Sequence, residues 1–194
     1  MAKLGARLHN MERQVRDMLI FARGDAVLDE SLPVSELLAE TRTAAEVLLR
    51  SGQQSCQWLD RVGEARLRCN RESLIGALLN LIENALQSAG SEARLEIRAE
   101  PEQDSDGTAR LRLQVSDDGP GIRPELLDQI TEPFFTTRAQ GTGLGLAVAQ
   151  VVARAHQGEF FIQSETRQEA AGSTGTTAGF LLPLDRGCVS GSQQ

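Results

Sequence analysis

The sequence has no tyrosine, one tryptophan and six phenylalanines among 194 residues. So few aromatics exclude the stacking platform on which single-stranded nucleic acid is usually bound. Basic residues are also in deficit, with 20 Lys and Arg against 27 Asp and Glu for a formal charge of −7. A chain of that balance lacks the electrostatic footprint of a duplex-DNA binder or a polybasic membrane binder. Cysteine is scarce: Cys56, Cys69 and Cys188 are odd in number and none belongs to a CxxC pair. A disulfide framework and a thiolate zinc site are therefore not expected. No apolar run approaches the length of a membrane span, and Arg7, Glu12, Arg13, Arg16 and Asp17 interrupt anything resembling a signal-peptide core. These absences lead to the expectation of a cytoplasmic domain, with neither nucleic acid nor membrane as its partner. None of them bears on nucleotide binding, because a phosphate pocket needs only a few aimed donors.

In the first segment, apolar residues fall at Leu4, Leu8, Met11, Val15, Met18 and Ala22. That 4-3-4-3-4 spacing predicts a helix over 4–23 with a heptad seam, which needs a helical partner, most simply in a dimeric bundle. The spacing predicts a second amphipathic helix over 35–50, capped by Ser35. Cys56, Trp58 and Asp60, then Ala65, Leu67 and Cys69, alternate with polar residues about Gly63 and read as a hairpin. A strong helix is expected over 71–89, with Asn70 as cap and Gly90 as stop. Strands are expected over 94–99 and 109–117, joined by a disordered polar run at 101–107. A short helix at 124–130, a long loop at 131–142, a helix at 147–156 and strands at 160–164 and 180–184 follow. Residues 186–194 read as a disordered tail. Helices interleaved with strands imply an α+β, two-layer α/β sandwich with a mixed, mostly antiparallel sheet, preceded by one long helix.

Three groups of residues fit a binding site better than a core. Along the helix over 71–89, Asn80, Glu83, Asn84 and Gln87 fall at i, i+3, i+4 and i+7. They make one polar stripe on an otherwise apolar helix, and such groups cost several kcal/mol, roughly, if buried without partners. In the strand over 109–117, Leu111, Leu113 and Val115 share a face that Asp117 continues, so its carboxylate points inward at the strand end. The tight turn DDGPGI at 117–122 then lets the backbone come close to a ligand. Last, GTGLGL at 141–146 leads into a helix, an arrangement that offers amide N–H groups and a helix dipole to an anion. No Gly-Lys-Ser/Thr follows and no strand precedes, so neither a P-loop nor a dinucleotide fingerprint is present.

In this order the segments resemble the catalytic ATP-binding domain of sensor histidine kinases, a Bergerat-fold ATPase. NLIENA at 80–85 is similar to that family's N box, DDGPGI to its first glycine box, PFFTTR at 133–138 to its F box and GTGLGL to its second glycine box. GTTAGF at 175–180 is similar to the final glycine motif. PFFTTR is most like the nitrogen-regulation and flagellar-regulation branch. The resemblance covers about residues 33–184, and the helix before Gly24 looks like the second helix of the dimerisation and phosphotransfer hairpin. The division expected is 1–25 for that helix, 33–185 for the ATP-binding domain and 186–194 for the tail.

The resemblance implies a kinase that transfers the γ-phosphoryl of ATP to a histidine, for relay to a response-regulator aspartate. It also implies Mg²⁺. Asp117 would accept from adenine N6, Gly121 and Ile122 would shape the base pocket, and Asn84 would hold the metal. Asn80 would contact the phosphates or the metal's shell. Gly119, Phe135, Gly141, Thr142, Gly143, Leu144, Gly145, Leu146 and Thr176 complete the ATP site that it implies. Arg138 would reach the γ-phosphate and Glu83 would act as general base. Phe134 and Phe135 would pack the lid on the domain. On this resemblance, the hairpin helix that carries the family's phospho-acceptor is not expected among these 194 residues. His9 lacks the acidic neighbour of an acceptor motif, and His156 reads as structural, with a positive charge suited to a helix end. An alternative within the fold is an ATP-driven conformational clamp. Clamps carry a carboxylate where Asn80 stands, so hydrolysis is the less favoured purpose. A nucleotide-reporting docking module and a serine kinase of the anti-sigma type are further alternatives.

Overall fold

A computed structural model describes residues 18–20, 27–49, 53–104, 106–138, 141–166 and 174–185. The expected heptad helix, apart from its helical residues Met18, Leu19 and Ile20, and the expected tail lie outside the described residues. The elements are β1 (Glu30–Pro33), α1 (Val34–Leu49), β2 (Ser55–Asp60), β3 (Arg66–Cys69), α2 (Arg71–Ala89), β4 (Arg94–Gln103) and β5 (Ala109–Asp117). There follow α3 (Pro124–Leu127), α4 (Gly145–Ala155), β6 (Glu159–Glu165) and β7 (Gly175–Pro183).

Five strands form one sheet in the order β2-β4-β5-β7-β6, and β1 pairs with β3 beside it. All neighbours in the large sheet are antiparallel except β2 and β4. Alternation fixes the two faces. Leu95, Ile97 and Ala99 on β4, Leu111, Leu113 and Val115 on β5, and Ala178, Phe180 and Leu182 on β7 all join one buried core. Helix α2 packs between α1 and α4 and across β5, so it supplies the centre of the helical layer. The opposite face is laced with surface ion pairs, Arg98 with Glu96, Arg112 with Glu102 and Arg110 with Glu159. Such pairs keep the face solvated and add little stability.

The strong local signals hold. Helix α2 runs between Asn70 and Gly90 as expected, and the Asn70 side chain accepts the Ser73 N–H at 3.0 Å. The two-layer architecture and mostly antiparallel sheet are as the sequence implies. Several expectations are corrected. The segments at 56–60 and 65–69 are strands, but they do not form a hairpin. Instead β2 runs parallel to β4, with Ser55 opposite Arg94, while β3 pairs with β1. A parallel pair needs a crossover, and α2 provides it. Helix α1 begins at Val34, whose N–H donates to the Ala65 carbonyl, so Ser35 lies inside the first turn and is not the cap. The polar run expected at 101–107 is strand in its first part: β4 continues to Gln103, and Glu102 pairs with Arg112 on β5. Likewise the glycine and threonine run from Gly175 is the first half of β7.

His156 also departs from expectation. It is 2% exposed and its two ring nitrogens have different duties. The Asn70 backbone N–H donates to Nε2 at 3.0 Å, and Nδ1 lies 2.8 Å from the Val152 carbonyl. Nε2 must therefore be unprotonated and Nδ1 must carry the hydrogen, so the ring is neutral, not cationic. Burial pushes its pKa below the ordinary histidine value, opposed by the bond of Nδ1 to the Val152 carbonyl. The unfolded chain takes up a proton at about pH 6.5, and the folded chain only at a lower pH. Stability is thus whole above about pH 6.5 and falls as pH drops from there towards the folded value. At about pH 8, His156→Leu is expected to cost roughly 1–3 kcal/mol, because the Asn70 N–H loses its acceptor. Urea unfolding at about pH 8 and pH 5.5 should show the gap between wild type and variant narrowing in acid. A gap independent of pH would contradict the neutral ring.

Candidate functional site

The polar stripe of α2 turns towards a cavity, from buried Asn80 to exposed Gln87. Asn80, Glu83, Asn84 and Gln87 line one wall of a cavity of about 720 Å³, a volume typical of small-molecule sites. Asn80 is only 5% exposed. Asp117, Gly121 and Ile122 form a second wall with Thr176, and Phe135, Arg138, Gly141, Thr142 and Gly143 form a third. Gly145 and Leu146, at the start of α4, close the gap between α2 and that third wall. Four segments far apart in sequence thus meet at one cavity.

Backbone conformation explains two of the glycines. Gly121 has φ 77°, and a Cβ there would overlap the Glu165 carbonyl oxygen. Gly143 has φ 66° and lies so close to the backbone of Phe134 that no side chain fits between them. The contact is reinforced by the Phe134 N–H, which donates to the Gly143 carbonyl at 2.9 Å. The F-box segment and the second glycine box are therefore stapled to each other. Phe134 itself takes φ 68° and is 64% exposed. This corrects the expectation that both phenylalanines pack inward: Phe135 lines the cavity and Phe134 faces out. Two of the residues implied for the site stand off its wall. Leu144 is 1% exposed and belongs to the core, and Gly119 is buried with its N–H donating to Asp117 Oδ1 at 2.9 Å.

The electrostatics differ from end to end. Asp117 is half-buried, and burial pushes its carboxyl above the ordinary range, while the N–H groups of Gly119 and Thr176 pull it down. At the other end Arg138 spans to α2. Its Nη1 donates to Asn84 Oδ1 at 3.1 Å and to Gln87 Oε1 at 2.6 Å, and its Nη2 donates to the Asn84 carbonyl at 3.2 Å. Gln87 also donates to Glu83 Oε1 at 3.1 Å. One end therefore suits a hydrogen-bond donor on an apolar ring, and the other end groups amide oxygens with a guanidinium. Among the described residues no three His, Cys, Asp or Glu side chains converge as a metal site. The Cys56 and Cys69 thiols are pushed up to about 11 by burial, which makes them poor nucleophiles.

Residue reasoning missed part of the wall. Ile162 and Ala178 floor the cavity beneath Asp117, and Leu126 and Ile130 flank it near α3. Alternation along β6 carried the signal, since Phe160, Ile162 and Ser164 share a face.

Comparison with known proteins agrees with this geometry. The family described as Histidine kinase-, DNA gyrase B-, and HSP90-like ATPase matches residues 69–186. The sensor protein kinase FleS of Pseudomonas aeruginosa is 47% identical over 182 residues, which is 94% of this chain and 42% of FleS. Sensor histidine kinase ZraS of Salmonella typhimurium is 38% identical over 99 residues, 51% of this chain and 20% of ZraS. The chain therefore spans less than half the length of these relatives. Among solved structures, the catalytic domain of histidine kinase ThkA in nucleotide-free form aligns with a TM-score of 0.67 at 26% identity, over 79% of this chain and 94% of that one. The chain belongs to the histidine kinase-, DNA gyrase B- and HSP90-like ATPase family, and its ATP-binding catalytic domain is homologous to those of the sensor histidine kinases.

Proposed function

We propose that the cavity binds ATP with Mg²⁺ and that the domain transfers the γ-phosphoryl to a histidine, for relay to a response-regulator aspartate. The observation that carries the reading is the division of one cavity into an Asp117 end and an Asn84–Arg138 end. Adenine would lie over Ile162 and Ala178 with its N6 donating to Asp117. The phosphates would run towards the N–H groups of 141–145 and the start of α4, where the helix dipole favours negative charge. The residues fit Mg²⁺ in the chemistry of their donors. Asn84 Oδ1 already turns its lone pairs to a cationic guanidinium, and Mg²⁺ takes few protein oxygens because it keeps several waters. When bound, the ion would neutralise charge on the transferring phosphoryl group.

In the transfer, the bond from the γ-phosphorus to its bridging oxygen breaks and a bond to an imidazole nitrogen forms. Glu83 is suited to take the imidazole proton, and Asn80 to orient the phosphates. Arg138 has a second duty to give up, because it must release Asn84 Oδ1 before turning to the γ-phosphate. The acceptor histidine has to come from elsewhere than His156, whose nitrogens are both engaged in the core. The heptad seam at 4–22 supports a helical dimer partner, and a cytoplasmic place suits a domain that uses ATP.

Asn84→Ala is expected to abolish Mg-dependent tightening of ATP binding in a folded protein, read by titration with Mg²⁺ and with EDTA. Equal affinities for wild type and variant would remove Asn84 as the metal ligand. Asp117→Asn should weaken ATP roughly tenfold or more and erase its preference over GTP. An unchanged ratio would contradict the adenine assignment. Wild-type affinity should also fall as acid protonates Asp117, at a pH above that of an ordinary carboxyl. Mixed with labelled ATP and a kinase-dead relative that carries its phosphotransfer helices, the chain should deposit acid-labile label in trans. Phosphate release without transfer would favour the clamp.

A further inference from the structure

Three strands end at the cavity in register. Ser164 on β6 stands opposite Thr176 on β7, and Thr176 opposite Asp117 on β5. The next row inward is Ile162, Ala178 and Val115, and the one beyond is Phe160, Phe180 and Leu113. The helix-facing side of the sheet therefore turns from apolar to polar at a single row. Asp117 and Thr176 belong to the cavity wall, and Ser164 stands beside Thr176 in the same row.

The Ser164 hydroxyl has three neighbours. The Ile122 N–H donates to its Oγ at 2.8 Å, the Gly175 carbonyl lies at 3.0 Å and Thr176 Oγ1 at 2.9 Å. Two of these have fixed roles, since an amide can only donate and a carbonyl can only accept. A hydroxyl brings one proton and two lone pairs. If the Ser164 proton goes to Gly175, Ile122 fills one lone pair and the Thr176 proton fills the other. That arrangement satisfies every group. The reverse arrangement, with Ser164 donating to Thr176, leaves a Ser164 lone pair empty and takes the proton from Gly175.

Resting on the ATP reading above, we propose that Ser164 is a positioning residue for base selection: it takes up the Thr176 hydroxyl proton, so that Thr176 meets the cavity with lone pairs only. With the Asp117 carboxylate beside it, this row of strand ends then presents side-chain acceptors and no side-chain donor to the cavity. A 6-amino purine brings two N–H donors to two acceptors. A 6-oxo purine brings lone pairs against lone pairs. Asp117 alone would favour the amine; Ser164 extends the preference to Thr176 without touching the ligand. Its bond to Ile122 also ties the first glycine turn to the same row.

The test is the ratio of ATP to inosine triphosphate affinity, measured on the full chain by calorimetry with Mg²⁺ present. Ser164→Ala frees the Thr176 hydroxyl to rotate and donate, and should lower the ratio about three- to tenfold, the worth of one hydrogen bond. Ser164→Thr keeps the hydroxyl and should keep the ratio. In a Thr176→Val background, Ser164→Ala should change the ratio no further. Loss of packing alone would weaken both nucleotides together and leave the ratio where it was. An unchanged ratio in folded Ser164→Ala, or the same fall in the Thr176→Val background, overturns the proposal while the ATP reading stands. Failure of the wild type to bind ATP overturns both. Should Ser164→Ala not fold, Thr176→Val reads the same acceptor from the cavity side, and an unchanged ratio there is equally decisive against it.

Discussion

Helix α2 has to live in two environments at once. Leu74, Leu78, Leu81, Ile82 and Ala85 are buried on the sides that meet α1, α4 and the sheet. Asn80, Glu83, Asn84 and Gln87 occupy the remaining side, where the cavity begins. Were the helix at the edge of its layer, those groups would be solvated and the stripe would be ordinary surface. Were it sealed on all sides, three amides and a carboxylate would be buried at prohibitive cost. The other walls follow from this placement. The F-box segment, the first glycine turn and the start of α4 all converge on the one side of α2 that packing leaves open.

What was legible in the sequence was what short-range physics dictates. A cap at Asn70, a stop at Gly90 and a 3.6-residue period specify α2 and its stripe without reference to any other element. Alternation likewise revealed the strands and the inward Asp117. Partners were not legible. The residues of β2 and β3 alternate as a hairpin would, yet a parallel neighbour reached through α2 competes for β2, and only the whole sheet decides between them. The glycine and threonine run from Gly175 reads as loop by composition. It becomes strand because its small residues pass close beneath Asp117 and Gln114. The neutral state of His156 is tertiary in the same sense. A histidine at a helix end gives no hint that an amide 86 positions earlier will claim its second nitrogen.

The charge of the chain and the charge of its site are separate matters. A protein of net −7 is a poor attractor of anions at long range. At short range, though, the Arg138 end of the cavity combines a guanidinium with the N-terminus of α4. These act over a few ångströms, inside the distance at which salt screens the rest of the surface. Arg138 gives this end a positive charge balanced against Asn84 and Gln87, so the amide oxygens of α2 face a cation even without ligand.

The histidine at the end of α4 has a mechanical consequence. One end of that helix is fastened through His156 to Asn70, where α2 begins, and the other end lies at Gly145 against Asn80 and Asn84. The helix is a rod of about 16 Å at the usual rise per residue, held at one end by the ring. The buried side chains between, Val148, Ala149 and Val152, carry that fastening along the helix, so the second glycine loop is placed relative to the cap of the helix that faces it.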